Sequence, residues 1–183
     1  MNLPNRLTLA RLFLIPIFLI VASMRFDYAD YLAAAIFILG AATDGLDGYI
    51  ARKNKQVTLL GKFMDPLADK ILVSAALIAL VEHNLLSGWV AVVIISREFA
   101  VTGLRAVAAT EGVIMPASIL GKIKTATQIV AIVAMFIGDI PFKVFHFILT
   151  LGHVAMAVAV VFTIWSGMDY FLATWKLLKR KGY

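Results

Sequence analysis

The sequence is 183 residues long, 62% of them hydrophobic and 15% charged, with a mean hydropathy of +0.92 and a formal net charge of +6. A soluble domain of this length needs far less apolar surface to fill one core, so the composition excludes an ordinary soluble protein. Because the chain has no cysteine, disulfides and thiolate metal sites are excluded too.

Six apolar segments are long enough to cross a hydrocarbon layer roughly 30 Å thick, which takes about 20 helical residues. In chain order they cover residues 7–24, 31–51, 63–81, 88–109, 119–137 and 144–172. The connections between them are short, and no stretch is long enough for a separate soluble domain. We therefore expect an all-α, polytopic membrane protein in which residues 1–183 form one domain of six transmembrane helices.

Lysine and arginine fall mainly in alternate connections of this predicted bundle. One side collects Arg6, Arg11, Arg52, Lys53, Lys55, Lys62, Lys122, Lys124, Lys176, Lys179, Arg180 and Lys181. The loops on the other side keep only Arg25 and Lys143. The positive-inside rule then predicts a cell-membrane protein with both termini in the cytoplasm. A basic rim at helix ends fits anionic lipid headgroups, and we expect no nucleic acid partner.

Four aspartates interrupt the second and third segments. Asp44 and Asp47 are three residues apart on the second, and Asp65 and Asp69 are four apart on the third, so each pair shares a helix face. A carboxylate at the middle of a spanning helix costs about 2.5 to 3.5 kcal/mol, so such groups need a partner or a water-filled cavity. Because a short loop makes the two helices antiparallel, we expect a four-carboxylate cluster near the cytoplasmic side.

Oxygen ligands without histidine or cysteine suit Mg²⁺, Mn²⁺ or Ca²⁺ better than zinc. Two such ions held by shared carboxylates are a common device for phosphoryl transfer. Other interpretations compete: a single aspartate can be a helix cap or ion-pair partner, and Gly45 and Gly48 can be packing residues. A carboxylate cluster also suits a divalent-cation transporter, although here the acids lie at one side of the membrane and form no path across it.

Eight positions over 26 residues give a specific pattern, Asp44-x2-Asp47-Gly48-x2-Ala51-Arg52-x8-Gly61-x3-Asp65-x3-Asp69. This pattern resembles, without a departure, the signature of the CDP-alcohol phosphotransferases. The resemblance implies a six-helix membrane enzyme, usually a homodimer. Such an enzyme transfers a phosphatidyl or similar group from a CDP-linked donor to an alcohol and releases CMP.

The resemblance also implies a role for each of the eight positions. Two Mg²⁺ or Mn²⁺ ions would be bound by Asp44, Asp47, Asp65 and Asp69. Asp69 would in addition be the catalytic base that takes the proton of the acceptor hydroxyl. The cytidine and diphosphate of the donor would be accommodated by Gly48, Ala51 and Gly61, and contacted by Arg52.

Cations on the fourth and fifth segments bear on the identity of the acceptor. They are Arg97, Arg105, Lys122 and Lys124, and they exceed what Glu98 and Glu111 can neutralise. Adjacent helical positions do not face each other, so we expect no good pair between Arg97 and Glu98. An anion should join these cations, which favours an acceptor carrying its own phosphate, glycerol 3-phosphate or inositol phosphate. Snorkelling of Arg97, and a role in membrane topology for the lysines, are the competing interpretations.

Three further pieces, NLPNRLTLARL, SREFAVTGLR and GKIKT, resemble those bacterial members of the same family that join CDP-diacylglycerol to glycerol 3-phosphate. The resemblance implies that Arg97, Arg105 and Lys122 bind the phosphate of the acceptor, with Lys124 beside them. It also implies that the donor headgroup at the membrane surface is approached by Asn5, Thr8 and Arg11.

Overall fold

The computed structural model describes residues 3–54, 59–110, 112, 118–138 and 146–180, with side chains for 8–43, 64, 66–110, 112, 118–138 and 151–175. Within these ranges the chain forms six helices, so the prediction of an all-α, six-helix protein is confirmed. They are α1 (Leu3–Ser23), α2 (Ala29–Asn54), α3 (Leu59–Glu82), α4 (Gly88–Thr110), α5 (Ile119–Gly138) and α6 (His146–Arg180). Helix α6 continues well past the predicted end at residue 172.

Local chemistry explains where several helices begin and end. After α3, Asn84 adopts a left-handed conformation (φ 58°), which asparagine tolerates better than most residues, and the backbone N–H of Leu85 donates to the carbonyl of Leu80. Before α5, the hydroxyl of Ser118 accepts a hydrogen bond from the backbone N–H of Gly121 at 3.0 Å, as an N-cap residue does. Both devices satisfy backbone groups that the helix itself leaves unpaired.

The helices form a bundle in which α1 packs against α2 and α3, α2 and α3 also contact α5, and α4 lies between α3 and α6. The contact between α5 and α6 is the most extensive. It is close at Gly152, where an added Cβ would lie 3.3 Å from backbone atoms of Ala134 and Met135. The core includes fully buried Phe18, whose ring meets those of Phe37 and Phe136 at centroid distances of 6.3 and 5.9 Å.

Large apolar side chains also cover the outside of the bundle. Phe13, Trp89, Ile119 and Trp165 are each more than half exposed, at 68%, 80%, 76% and 59%. So many large exposed apolar side chains are unusual for a monomeric soluble protein and are typical of a surface that faces lipid. By length and composition, two stretches of the described chain qualify as candidate membrane spans, Ile119–Gly138 and Leu151–Trp175, and two shorter ones, Thr8–Ser23 and Ala29–Thr43, are similarly apolar.

Contacts between helices define two ends of the bundle. At one end, His83 at the close of α3 makes a 2.8 Å hydrogen bond with the carbonyl of Ala22 at the close of α1. At the opposite end, the first residues of α5 meet Tyr170 in the second half of α6. We call this second end, where α3 and α5 begin and α2 and α4 finish, the cavity end.

Candidate active site

A cavity of about 490 Å³ opens at the cavity end between α3, α4, α5 and α6. Its lining comprises Asp69, Lys70, Arg97, Glu98, Val101, Thr102, Arg105, Ser118, Gly121, Lys122, Thr125, Ala126, Ile129 and Tyr170. Four of these side chains are cationic and two are carboxylates, so the lining residues that the structure describes have a formal charge of +2. A cavity with this balance attracts anions, and one with two negative charges would neutralise it.

Arg97 on α4 is held from two directions. Its Nη1 donates to Oε1 of Glu98 at 3.0 Å, and its Nη2 donates to Oγ of Ser166 on α6 at 2.7 Å. The guanidinium carbon also lies 6.0 Å from the centre of the Tyr170 ring. Among the described residues, Nε of Arg97 is buried without a hydrogen-bond partner. A buried donor without a partner is costly, so this arginine is suited to receive an acceptor group from a bound ligand.

Glu98 is the second group that anchors the site, because it pairs with two cations. Oε1 accepts from Arg97 and from Nζ of Lys124 on α5. The expectation that Arg97 and Glu98 would not pair is therefore wrong. Adjacent Cβ atoms do point apart, but both side chains are long enough to turn toward each other beside Lys124, where the paired charges share one buried position.

Lys124 is almost fully buried, at 3% exposure, and is not part of the cavity lining. It pairs with Glu98 and also interacts electrostatically with Asp69. The two other predicted anion-binding cations, Arg105 and Lys122, are exposed and line the cavity with Arg97. The structure thus brings three of the four predicted cations to one cavity and places the fourth behind it.

Tyr170 joins α6 to the start of α5. Its hydroxyl accepts a hydrogen bond from the backbone N–H of Ser118 at 2.8 Å, and the residue is 7% exposed. The sequence predictions did not include Tyr170 or Ser166. The available signal was weak: the two are four residues apart on one face of an apolar segment that otherwise resembles a lipid-facing helix.

Of the four predicted metal ligands, the structure describes the side chain of Asp69 alone, and it lines the cavity. The backbone positions of Asp44 and Asp47 lie on α2 and that of Asp65 on α3, while their side chains are outside the described residues. In the part of the chain with described side chains, no three histidine, aspartate or glutamate residues are grouped as metal ligands.

The packing of α2 on α3 nevertheless indicates which of these positions lie at the same height along the two helix axes. An added Cβ at Gly40 would lie 2.6 Å from Cδ2 of Leu72, so the two helices are in close contact there. In antiparallel helices, four residues beyond Gly40 and four before Leu72 reach the same level, since both advance about 1.5 Å per residue. Positions 44 and 68 are then level with each other, as are positions 47 and 65.

The predicted donor-binding residues are less completely described. Gly48, Ala51 and Arg52 lie on α2, Gly61 on α3 and Asn5 on α1, and their side chains are outside the described residues. Thr8 and Arg11 are buried inside the bundle, at 2% and 0% exposure. Nε of Arg11 donates to Oγ1 of Thr43 at 3.4 Å, so Arg11 lies beside the α2 position that precedes Asp44.

The chain is similar to known proteins over most of its length. A family model described as CDP-alcohol phosphatidyltransferase matches residues 1–165. A Bacillus subtilis (strain 168) protein named CDP-diacylglycerol--glycerol-3-phosphate 3-phosphatidyltransferase is 49% identical, with 97% of each chain covered. Proteins of the same name from Pseudomonas fluorescens and Rickettsia bellii (strain RML369-C) are 39% and 38% identical. The match to the Pseudomonas protein covers 100% of this chain and 94% of that protein, and the match to the Rickettsia protein covers 94% of both chains.

Proposed function

We propose that this protein, which belongs to the CDP-alcohol phosphatidyltransferase family, transfers the phosphatidyl group of CDP-diacylglycerol to glycerol 3-phosphate and releases CMP. The product would be phosphatidylglycerophosphate, a precursor in phospholipid synthesis. The relatives that carry this activity in their names match the chain over nearly its whole length. The single structural observation that carries the proposal is the cavity in which Arg97, Arg105 and Lys122 converge beside Asp69.

The acceptor phosphate would occupy this cavity. Arg97 has a buried Nε without a partner among the described residues, and Arg105 and Lys122 add charge from the next turns of α4 and from α5. A dianion would balance the formal +2 of the described lining residues, and glycerol 3-phosphate is close to a dianion at neutral pH. Lys124 would act indirectly, by holding Glu98 so that Arg97 faces the cavity.

The donor would lie on the α2 and α3 side of Asp69. Gly48, Ala51 and Gly61 would leave room for the cytidine and diphosphate, and Arg52 would contact a donor phosphate. Asn5 and Thr8 would support the same side from α1. The acyl chains would remain in the lipid, which agrees with the apolar outer surface of the bundle.

The chain fits two divalent cations by the chemistry of its donors. Four carboxylates lie on stretches of α2 and α3 that the Gly40–Leu72 contact brings level, and oxygen donors of this kind suit Mg²⁺ or Mn²⁺. The ligands would be Asp44, Asp47, Asp65 and Asp69. Bound ions would supply neutralisation of the diphosphate and of the charge that develops during phosphoryl transfer.

Binding of the acceptor and transfer of its proton are assigned to residues of the chain. Arg97, Arg105 and Lys122 would hold glycerol 3-phosphate with its free 1-hydroxyl toward Asp69. Asp69 would accept the proton of this hydroxyl as its oxygen bonds to the phosphorus next to the diacylglycerol. The bond from that phosphorus to the bridging oxygen of the diphosphate breaks, and CMP leaves with the electron pair. Positioning both substrates at one carboxylate lowers the entropic part of the barrier.

We place the protein in the cell membrane as a single six-span domain, with both termini and the cavity end in the cytoplasm and with a homodimer as its assembly. The distribution of lysine and arginine supports this orientation. Glycerol 3-phosphate, a soluble and charged substrate, would then reach the cavity from the cytosol.

The deciding experiment measures CMP release by purified protein in detergent with CDP-diacylglycerol and Mg²⁺ or Mn²⁺. The acceptors compared are glycerol 3-phosphate, inositol phosphate, serine and buffer alone. Release with glycerol 3-phosphate alone supports the proposal. Release only with another acceptor would keep the transferase chemistry and refute the acceptor assignment, and a folded preparation that releases no CMP would refute the proposed reaction.

A further inference from the structure

Two polar side chains of α6 reach the site from outside every motif described above. Ser166 and Tyr170 are separated by one helical turn, are 0% and 7% exposed, and lie on the same face. The region matched by the family model ends at residue 165, so it does not include either of them. Both contact groups of the cavity that we assign to the acceptor.

We propose that Ser166 and Tyr170 are positioning residues for the acceptor, which fix Arg97 and the start of α5 relative to each other. This inference rests on the proposed function, in which the cavity holds the phosphate of glycerol 3-phosphate. It assigns to the second half of α6 a specific effect on acceptor affinity.

The hydroxyl of Ser166 is oriented by its own helix. A serine hydroxyl has one proton to donate and two lone pairs that accept. The proton points to the carbonyl of Phe162, so a lone pair is free to accept from Nη2 of Arg97. The stem of Arg97 lies along Gly167, where an added Cβ would be 3.1 Å from Cγ. Ser166 and Glu98 therefore hold the two Nη atoms at separate points and fix the plane of the guanidinium.

Tyr170 touches both elements that carry the anion-binding cations. Its ring lies under the guanidinium of Arg97 on α4, in the range of a cation–π contact. Its hydroxyl accepts from the backbone N–H of Ser118, just before the first residue of α5. Lys122 follows one turn later on α5, so the same side chain sets the spacing between Arg97 and Lys122.

The effect should be specific to the acceptor. A phosphate bound by groups from two helices loses affinity when the helices shift relative to each other, because the donors then no longer converge. Ser166 contacts Arg97 on α4, and Tyr170 contacts Arg97 and the backbone of Ser118 just before α5. The residues assigned to the donor lie on α1, α2 and α3.

The test compares Ser166→Ala and Tyr170→Phe with the wild type in purified full-length protein, by initial rates of CMP release. Glycerol 3-phosphate is varied at saturating CDP-diacylglycerol, and the reverse. We expect the acceptor KM to rise about tenfold in each variant, the size of one lost hydrogen bond to a charged or buried group. The donor KM should stay within about twofold, since neither substitution alters a residue assigned to the donor. Ser166→Thr, which keeps the hydroxyl, should restore most of the loss.

Thr163→Val is the matched control. Thr163 is fully buried on the same helix, its hydroxyl donates to the carbonyl of Ala159, and it is not among the described residues that line the cavity. An acceptor KM unchanged by Thr163→Val, and raised by the other two, supports the inference. A parallel rise of both KM values, or the same effect in the control, would show that these hydroxyls act through general packing and would overturn it.

The proposed function and the positioning role of Ser166 and Tyr170 are refuted by different results. A wild type that releases no CMP with glycerol 3-phosphate refutes the proposed function and the inference with it. An active wild type whose variants keep the normal acceptor KM refutes the inference alone. If Tyr170→Phe does not fold, the comparison of Ser166→Ala with Ser166→Thr decides the matter.

Discussion

Asp69 lies where the predicted carboxylate cluster meets the described cavity. It is the last of the four acids along the chain, it lines the cavity, and it interacts with Lys124. If it accepts the proton of the acceptor, its negative charge and its basic oxygen are both needed. Asparagine has the same shape and neither property.

Asp69→Asn should therefore lower kcat at least about a hundredfold, the lower range for loss of a general base. Binding of CDP-diacylglycerol should remain measurable, because three of the four acids and Arg52 are unchanged. The rate is measured by CMP release and the affinity by equilibrium binding of the donor. Normal turnover by a fully folded Asp69→Asn protein would contradict the assignment of the base.

Arg105 differs from Arg97 in having an exposed side chain at the mouth of the cavity. Arg105→Ala should raise the acceptor KM about tenfold or more, through loss of a charge-assisted contact, and leave the donor KM nearly unchanged. Steady-state kinetics with each substrate varied in turn measures both constants. An equal rise in the donor KM would contradict separate donor and acceptor sites.

The sequence indicated which residues are costly in an apolar segment, but it did not indicate which of them form pairs. Aspartates within an apolar segment are conspicuous because their insertion is costly, and the same reasoning selected Arg97 and Arg105. The pairing of Glu98 with both Arg97 and Lys124 was not predictable. It depends on how α4 and α5 face each other, and that relation is not encoded in the spacing within one helix.

The ion pair between Glu98 and Lys124 connects α4 to α5, with Lys124 buried and Glu98 partly buried. Removing one partner of such a pair leaves an uncompensated charge, at a cost of about 3 to 5 kcal/mol, whereas replacing both is far milder. Glu98→Gln should therefore clearly lower the midpoint temperature of thermal unfolding of the protein in detergent.

The double variant Glu98→Gln/Lys124→Met should recover much of that stability, because the buried lysine charge is removed as well. Glu98→Gln alone would also loosen Arg97, so its acceptor KM should rise. Thermal unfolding of Glu98→Gln, of Lys124→Met and of the double variant gives the coupling energy between positions 98 and 124. Additive losses without recovery would show that the pair does not bridge the helices.

The element boundaries were predicted from hydrophobic length, and the agreement is close at two helix starts where a serine, Ser87 or Ser118, precedes the apolar run. Helix α4 begins at Gly88 as expected, and α5 begins at Ile119. Helix α6 departs from the prediction because hydropathy marks the part that suits lipid, while the helix continues through the polar residues after Trp175 until Arg180. Its site residues were missed for a related reason: they lie within a stretch whose composition indicates only a lipid-facing span.

For the whole molecule, the distribution of lysine and arginine predicts how the bundle is oriented in the membrane. The natural absence of cysteine makes a direct test simple, since a single introduced thiol reports one position. Asp27 is exposed between α1 and α2, and Ala109 is exposed near the close of α4 at the cavity end.

In intact cells, a membrane-impermeant maleimide should label Asp27→Cys, and it should label Ala109→Cys only after the membrane is permeabilised. The positive-inside rule requires this pattern, because the basic residues gather at the end that holds Ala109. Labelling of the cysteine-free parent gives the background. The reverse pattern would place the cavity outside the cytoplasm and refute the proposed orientation.

The position of the cavity along α5 has a consequence for the bilayer. Helix α5 is 20 residues long, about the thickness of the hydrocarbon layer, and the described lining residues on it extend from Gly121 near its start to Ile129 at its middle. New lipid would therefore be made at one face and delivered to one leaflet. A headgroup with two anionic phosphates does not cross the hydrocarbon readily. Each turnover would exchange one headgroup for another without adding a lipid molecule, and the product would reach the other leaflet only through separate proteins that move lipids across the membrane.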